Sequence, residues 1–528
     1  MVHRFGRFYR FRYSCRRLPL VLGLALSFRV FALGTGERAQ DPAPKILHVA
    51  VMQESPSLDL HKNSTLIARQ IGAGQVWEKL VTLNSQSEVV PELAESFEIS
   101  PDGKTLNFRL RKGVPFHDGS IMSAADVAAS MNRWIDSYAP ARELAGDSRF
   151  EEISGDLVRI RFSSPAVTFP DMMAGSPQCA VITSAAACAD EDSRGFMRSY
   201  IGTGPFRFSE WQEGRYLRLE KFPAYLPYGT PGEPVDGWAG YKEPRVDEIY
   251  YHLVPQAATR VAGLLTGQFD VDYNVDNDDL PAIGGRSDIK SAAYQAGSLT
   301  LIFNKKQGPC ADLNFRQALN VALNAEEIMR AVFGEQYALG SSYMEDTQLY
   351  WNSSAGEDRY NRADPELARE LLKKSGYAGQ TIRILTSVPG TTDRGVLVLM
   401  AQLERIGVKA RMEVLDWTTL LQYRNDPSRY DIYTSSFYSV PVPSLKLFFS
   451  PSFPGWSDDP HLARLLSNFN SAQTREEARE HWDALQGYSW DYLPVVNLGH
   501  FSQTHAWRDG VEGLTVFNGL YFWNAALR

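Results

Sequence analysis

Residues 91–135 read PELAESFEISPDGKTLNFRLRKGVPFHDGSIMSAADVAASMNRWI. The Pro-Asp-Gly at 101–103 is turn chemistry, because Pro presets φ and Gly accepts a positive φ. After the turn, Leu106, Phe108 and Leu110 alternate with polar residues, which is the period of a strand with one buried face. The stretch therefore predicts a β-hairpin centred on this turn.

The second half of the same stretch predicts a helix. Ser123 stands three residues before Asp126, so that hydroxyl and carboxylate can satisfy free amides at a helix N-terminus. Val127, Met131 and Trp134 follow at helical spacing and form the apolar stripe. A hairpin and then a capped helix are expected here.

Beyond residue 300 the pattern changes to helices and strands in alternation. Asp364 and Pro365 predict the N-cap and first-turn proline of a helix. Gly376 predicts the end of that helix, as a left-handed stop, that is, a residue with positive φ. The βαβ order that follows implies a parallel sheet with helices on its faces. Its predicted elements are a strand over 382–385, a helix over 394–406 and a strand over 408–415.

Length and composition bound the class of protein. A chain of 528 residues suggests roughly three domains at about 150 residues each, and its 44% hydrophobic and 22% charged residues are those of a globular protein. The net charge is −8, yet residues 1–39 hold eight Arg and one acid, which leaves the rest at about −15. Because the chain after residue 39 is this acidic, we expect it to bind neither nucleic acid nor anionic lipid.

The basic leader continues into an apolar run over 18–28 and then Val30-Phe31-Ala32. A membrane span needs about 20 apolar residues, so this order predicts a signal peptide over 1–39 rather than an anchor. Cleavage after Ala32 and cleavage after Ala39 are both consistent with the pattern. The mature protein is therefore expected to be exported.

Three cysteines lie beyond the leader. Cys179 and Cys188 are nine residues apart and can close a disulfide in an oxidising compartment, or remain two buried thiols. Both alternatives stay open, and Cys310 is free in either case.

Six further motifs agree with the 91–127 stretch in order and spacing. Together they resemble the family 5 extracellular solute-binding proteins, the dipeptide, oligopeptide and nickel class of ABC-importer receptors, over nearly all of residues 46–528. The motifs are GTGPFRF at 202–208, TGQFDVDY at 266–273, FNKK at 303–306, NFRQALNVALNAEEI at 314–328, DPELARELLKKSGY at 364–377 and RYDIYTSSF at 429–437.

The resemblance implies an α/β, two-lobed periplasmic-binding-protein fold of class II, cluster C type, with an extra inserted domain. A two-strand hinge is expected near Leu299–Asn304 and Pro494–Leu498, with the ligand buried between lobes that close on it. The implied division is domain I (45–87, 202–299 and 487–528) and the inserted domain II (88–201) in the large lobe, and domain III (300–486) as the small lobe.

The function implied is that of the substrate-binding component of an ABC transporter. It would capture a peptide or peptide-like solute in the periplasm and deliver it to permease subunits in the inner membrane. The expected receptor is a monomer and not an enzyme, with no catalytic residues, cofactor, metal or nucleic-acid partner. His117-Asp118 in the signature motif is interpreted as structural.

In the family, ligand contacts come from the loop after the first strand and from the segment after the strand at 430–431. Peptide-binding members carry Gly-Trp there and then an aspartate for the peptide ammonium, whereas this chain has Ser436-Phe437 and no acid before Asp458. The departure argues against a free peptide N-terminus as the main anchor. The candidate ligand residues are Glu54, Ser55, Trp77, Trp417, Ser435, Ser436, Phe437, Tyr438 and Ser439, with Phe437 and Tyr438 open to a core role instead.

Other classes are less favoured by the sequence. An exported hydrolase would need catalytic chemistry, and the chain has no Gly-x-Ser-x-Gly, His-Glu-x-x-His or phosphate-loop motif. A regulator that uses this fold as a sensor would carry an N-terminal helix-turn-helix module where this chain carries an export signal. An opine, an oligosaccharide, a glutathione-like thiol and a metal chelate remain as alternative ligands.

Overall fold

A computed structural model describes residues 43–388 and 392–528, so the predicted leader over 1–39 lies outside the described residues. The helices are α1 (Leu66–Gly72), α2 (Ala124–Ser137), α3 (Ala139–Ala145), α4 (Phe169–Gly175), α5 (Ala185–Ala189), α6 (Ala257–Thr266), α7 (Leu280–Ile283), α8 (Leu313–Ala322), α9 (Ala325–Phe333), α10 (Pro365–Lys374), α11 (Thr392–Arg405), α12 (Trp417–Tyr423), α13 (Pro460–Asn470) and α14 (Arg475–Tyr492).

The strands alternate with these helices along the chain. They are β1 (Ile46–Val51), β2 (Val81–Leu83), β3 (Val89–Pro91), β4 (Ala94–Ile99), β5 (Thr105–Leu110), β6 (Phe150–Ser154), β7 (Leu157–Arg161), β8 (Phe206–Gln212), β9 (Tyr216–Lys221), β10 (Glu248–Leu253), β11 (Val271–Val275), β12 (Ile289–Phe303), β13 (Tyr337–Ala338), β14 (Ile382–Val388), β15 (Ala410–Asp416), β16 (Ile432–Tyr438), β17 (Val495–Arg508), β18 (Val511–Glu512), β19 (Thr515–Val516), β20 (Leu520–Tyr521) and β21 (Ala526–Leu527).

One large sheet runs through the described part of the chain. Its strand order is β15-β14-β16-β12-β17-β11-β1-β10-β9-β8, and β13 also pairs with β17. The two longest strands, β12 and β17, pair antiparallel at the middle of this order. Strands β1, β8, β9, β10 and β11 therefore lie on the β17 side of the pair, together with the short β13, and β14, β15 and β16 lie on the β12 side.

The segments predicted as crossover strands lie within or against this central pair. Leu299 pairs with Gly499 and Thr300 pairs with Asn497, so the two segments face each other directly. At Gly297 a Cβ would stand 2.1 Å from the carbonyl oxygen of Phe437, so glycine is what allows β12 and β16 to approach so closely.

The signature stretch folds as predicted. Phe97 pairs with Phe108 across β4 and β5, and β7 and β6 extend the hairpin into a separate four-stranded sheet. Gly103 has φ +69° in the turn. Ser123 Oγ accepts a hydrogen bond from the Asp126 amide at 3.2 Å, and Asp126 Oδ2 accepts one from the Ser123 amide at 3.0 Å. Hairpin and capping box are both confirmed.

The α/β pattern after residue 300 is also confirmed, with one correction. β14 pairs parallel with β15, and α11 connects them. Asp364 Oδ1 caps α10 by accepting from the Leu367 amide at 3.0 Å. The prediction that Gly376 is a left-handed stop is wrong: α10 ends at Lys374, its C-cap Ser375 has φ −84°, and Gly376 is not among the described glycines of positive φ.

The GTGPFRF motif has a packing explanation. A Cβ at Gly202 would lie 2.0 Å from the carbonyl oxygen of Val76, and one at Gly204 would lie 2.4 Å from that of Gln75. Only glycine lets this segment lie directly against the backbone that follows α1.

We expect Gly202→Ala to lower the free energy of unfolding by about 3 kcal/mol, since the added methyl meets fixed backbone. Urea unfolding measures the change. Gly155→Ala is the matched control, because its Cβ would meet no atom within 4 Å. Equal stability of the two variants would contradict this explanation.

Among the described residues, no helix combines the length and the apolar character that a transmembrane span requires.

Candidate ligand-binding cleft

A cleft lies between a wall formed mainly by residues before position 300 and a facing wall formed by residues 348 and 438–441. It contains about 370 Å³ of space free of atoms, part of it open to solvent. β12 contributes Tyr294 and Ala296. One wall comes from Leu66, Arg69, Leu83, Gly175, Trp238 and Asn518, and the facing wall comes from Gln348, Tyr438, Ser439, Val440 and Pro441.

The cleft continues into two adjoining recesses. The first shares Leu66, Arg69 and Trp238 with it and measures about 300 Å³, and the second measures about 200 Å³. The first adds Gln70, Ala73, Lys79, Ser176, Cys179 and Tyr521, and the second adds Gly74, Thr82, Glu92 and Trp523. The three spaces together form one polar and aromatic site, and from here on the word cleft refers to all three.

Outside the cleft lining, residues from before position 300 contact residues from after it. Arg475 Nη2 lies 2.6 Å from Asp171 Oδ1, and Trp351 Nε1 donates to the same oxygen at 3.4 Å. Burial raises the pKa of Asp171, although Arg475 opposes the shift. Elsewhere Ser87 Oγ donates to the carbonyl oxygen of Thr347. The segments that carry the two walls are therefore also joined by direct contacts away from the cleft.

The cleft carries positive charge on its first wall. Arg69 makes no ion pair with any residue that the structure describes, and its Nε is buried without a hydrogen-bond partner. Lys79 Nζ donates to the Ala174 carbonyl and lies 4.3 Å from the ring centre of Trp238. Burial lowers the pKa of Lys79.

Glu92 is the only acid among the residues that line these three spaces, and it is already neutralised. Its carboxylate accepts from Lys242 Nζ at 2.6 Å and from the Lys79 amide at 2.8 Å, and both Lys242 and Glu92 are buried. Its charge is thus balanced within the protein.

Several polar atoms in the cleft have no hydrogen-bond partner within the described chain. Burial without a partner costs free energy, so such groups in a cleft indicate where a ligand or water binds. They are Arg69 Nε, Gln70 Nε2, Thr82 Oγ1, Ser176 Oγ, Ser439 Oγ, Asn518 Oδ1 and Trp523 Nε1.

The segment predicted after β16 reaches the cleft in part. Tyr438 and Ser439 line it, whereas Ser435 and Ser436 do not. Ser435 is buried in β16, where its carbonyl oxygen accepts from Thr300 Oγ1 at 3.0 Å. Ser436 is exposed.

Phe437 takes the core alternative. Its ring lies 5.4 Å from that of Phe448 and 5.8 Å from that of Phe453, and it lines none of the cavities described here. Alternation along the strand explains the contrast with Tyr438, whose ring points to the opposite face of β16.

We expect Tyr438→Ala to reduce stabilisation by ligand and to change unliganded stability little, because Tyr438 is 45% exposed. Phe437→Ala should lower unliganded stability by about 2 kcal/mol through lost packing. Thermal unfolding with and without bound solute separates the two effects. The reverse pattern would place Phe437 in the site and Tyr438 in the core.

Glu54 and Ser55 line a different recess of about 300 Å³, together with Trp211, Tyr216 and Tyr251. Glu54 Oε1 accepts from Trp211 Nε1 at 2.6 Å and from the Gly214 amide at 3.1 Å. Ser55 Oγ donates to the Ser57 carbonyl at 2.6 Å. The two residues are brought together with each other but not with Tyr438 and Ser439.

The structure places the two predicted tryptophans outside the lining of the cleft. Trp77 is fully buried, and its indole N–H donates to the Ile201 carbonyl at 3.0 Å, so it is a core residue. Trp417 begins α12, is 45% exposed and lines none of the cavities described here. An aromatic residue in a sequence does not reveal which surface it packs against.

The remaining candidates have structural roles. Cys179 and Cys188 are free thiols, the first beside the Ser176 carbonyl and the second 3.7 Å from Ser130 Oγ, so the structure contains no disulfide between them. His117 Nε2 lies 3.0 Å from the Gly204 carbonyl, and its Nδ1 accepts from the Gly202 amide at 3.2 Å. His117 thus joins the signature motif to the GTGPFRF segment, and the structural interpretation is confirmed.

Sequence reasoning missed Arg69, Trp238 and Tyr294. Each lies in a segment without a motif, and they meet only because α1, the loop before β10 and β12 converge in the fold. The one available signal was the absence of an acid in the 435–457 segment, which indicated that ligand charge must be met elsewhere.

The folded chain with its walled cleft has the architecture of a two-lobed periplasmic binding protein. The family described as "Bacterial extracellular solute-binding proteins, family 5 Middle" matches residues 88–458. The chain belongs to this family of solute-binding proteins. It is accordingly a substrate-binding component of ABC importers and not an enzyme.

Individual relatives agree. The probable peptide ABC transporter periplasmic-binding protein y4tO of Sinorhizobium fredii is 28% identical over 486 residues, 86% of this chain and 88% of the relative. A dipeptide-binding protein from Pseudoalteromonas in complex with Met-Leu has a TM-score of 0.74 at 24% identity, covering 92% of this chain and 100% of that one. AgaA of Agrobacterium tumefaciens in complex with agropinic acid has a TM-score of 0.73 at 23% identity, covering 92% and 99%. Both solved structures share the fold.

Proposed function

We propose that this protein captures a small peptide-like solute in the cleft and presents it to the permease of an ABC importer. The observation that carries the proposal is the cleft itself, whose facing wall comes from residues 348 and 438–441 and whose first wall comes mainly from residues before 300, and which contains unpartnered polar groups. A solute that contacts both walls binds the closed arrangement more tightly than the open one, and this difference in affinity shifts the equilibrium toward closure.

We propose a division into lobes that is supported by the order of strands in the large sheet. We assign residues 45–87, 202–299 and 487–528 to domain I, 88–201 to domain II and 300–486 to domain III. The central position of β12 and β17 supports this division, because bending of these two strands moves one side of the sheet relative to the other. Domains I and II would form the large lobe and domain III the small lobe.

The solute is expected to be polar with apolar faces. Trp238, Tyr294 and Tyr438 supply aromatic surface, and Ser439 and Gln348 supply hydrogen-bonding groups. The relative in Sinorhizobium is named for peptide transport, and the two solved neighbours hold a dipeptide and an opine. A peptide-like solute is the first candidate. An opine is the alternative, because it is also a polar solute with apolar faces.

The protein is expected to work as a monomer in the periplasm. Residues 1–39, a basic segment followed by an apolar run, support export and removal of a signal peptide. Mass spectrometry of the mature N-terminus after expression in a Gram-negative host would show cleavage at Ala32 or Ala39.

Native mass spectrometry of the protein purified without denaturation tests the function. We expect a bound small solute in one-to-one ratio, and its return to the stripped protein should stabilise it by about 2.7 kcal/mol at 100 times the dissociation constant. A protein that binds no solute from any extract, or that chemically converts one, would contradict the proposal.

A further inference from the structure

We infer that the cleft binds its solute through a carboxylate held by Arg69, and that it offers no site for a free ammonium. This inference rests on the proposed function and deepens it by naming the group that the receptor recognises.

Arg69 is partly buried and lacks the kinds of partner that three other arginines of the described chain have. Arg133 lies 2.7 Å from a carboxylate oxygen of Asp59, and Arg260 lies 3.0 Å from one of Asp272. Arg316 has no acid but donates to backbone carbonyls, including that of Tyr492 at 2.9 Å. Arg69 lines the cleft with neither kind of partner, and its Nε is fully buried. A planar guanidinium left open in this way fits a carboxylate.

The charge balance of the cleft points the same way. Lys79 adds a second basic group beside Arg69, and Glu92 is neutralised by Lys242 at 2.6 Å. A ligand ammonium would therefore enter a site with basic groups and no free acid, and it would remain uncompensated. A carboxylate would instead be attracted.

Neighbouring groups can complete the recognition of such a solute. Gln70 follows Arg69 on α1, is 2% exposed, and its Nε2 has no hydrogen-bond partner. Ser439 Oγ, on the facing wall, is also buried and unpartnered. A solute whose carboxylate meets Arg69 can accept from Gln70 and reach Ser439, which ties both walls to one molecule.

Chemical blocking of a solute mixture tests the inference. The probe is the small-molecule fraction of yeast extract in three portions: untreated, with carboxylates methyl-esterified, and with amines acetylated. Each is passed over the stripped protein, and retained solutes are identified by mass spectrometry. We expect retention from the untreated and acetylated portions and none from the esterified one.

Variants make the test specific to Arg69. Arg69→Gln should weaken binding of the retained solute about 10- to 100-fold, the range for loss of a charge-assisted hydrogen bond. Its unliganded melting temperature should not fall, because Arg69 has no ion pair to lose. Arg69→Lys should recover part of the affinity, and Arg411→Gln, on the exposed side of β15, should bind as the wild type does.

The outcomes separate this inference from the function. Retention of esterified solutes, loss of acetylated ones, or unchanged affinity in Arg69→Gln would overturn the carboxylate site while the receptor function stands. If the wild type retains nothing from any portion, the proposed function fails and the inference fails with it.

Discussion

Gly175→Leu is expected to weaken solute binding about 100-fold, within the range that overpacking a closed interface produces. Gly175 ends α4 on the first wall, and a Cβ there would lie 2.7 Å from Cβ of Pro441 on the facing wall. A leucine occupies the space that Pro441 needs when the walls meet. The variant should therefore fold normally but close poorly.

Isothermal titration with the identified solute measures the loss. Gly376→Leu is the matched control, since a Cβ at this exposed glycine would meet no atom within 4 Å. We expect the control to bind as the wild type does and both variants to unfold at similar urea concentrations. Full affinity in Gly175→Leu would mean that binding does not require the contact between Gly175 and Pro441.

Acidification from pH 6.5 to pH 4 is expected to destabilise the unliganded protein by several kcal/mol. Burial lowers the pKa of each of four histidines to about 4. Over this interval the unfolded chain takes up protons that the folded protein does not, so the free energy of unfolding falls as pH falls. The four are His61, His117, His252 and His505.

Three buried carboxyls act in the opposite direction. Burial raises the pKa of Glu78 to about 7, that of Asp272 to about 6 and also that of Asp171, so the folded protein binds their protons more readily than the unfolded chain does. Three groups offset only part of the effect of four, and net loss of stability is expected.

Urea unfolding at a series of pH values checks the sign. His61→Gln should flatten the pH dependence, because His61 is fully buried between Val181 and Arg133. Stability that is constant or rises toward pH 4 would show that these histidines are not held neutral by burial.

The local parts of the fold were predictable because their causes lie close together in the chain. The 101–103 turn, the Ser123–Asp126 capping box and the alternation in β5 each depend on residues a few positions apart. The wrong prediction at Gly376 also concerns only neighbouring residues. α10 ends at Lys374, and its C-cap Ser375 has an extended rather than a left-handed backbone.

The site was predictable only where it adjoins a motif. Tyr438 and Ser439 follow directly from the RYDIYTSSF segment, and both line the cleft. Arg69 and Trp238 are 169 positions apart and meet through long-range packing, which no local pattern records. Trp77 shows the converse, since its aromatic character suits a binding site and a core equally well.

Small-angle X-ray scattering of the stripped and the solute-loaded protein tests the central claim most directly. If a solute is held between two lobes that move about β12 and β17, loading must decrease the radius of gyration, and Gly175→Leu must lose most of that decrease. Stoichiometric binding with an unchanged scattering profile would contradict closure and with it this account of how the receptor works.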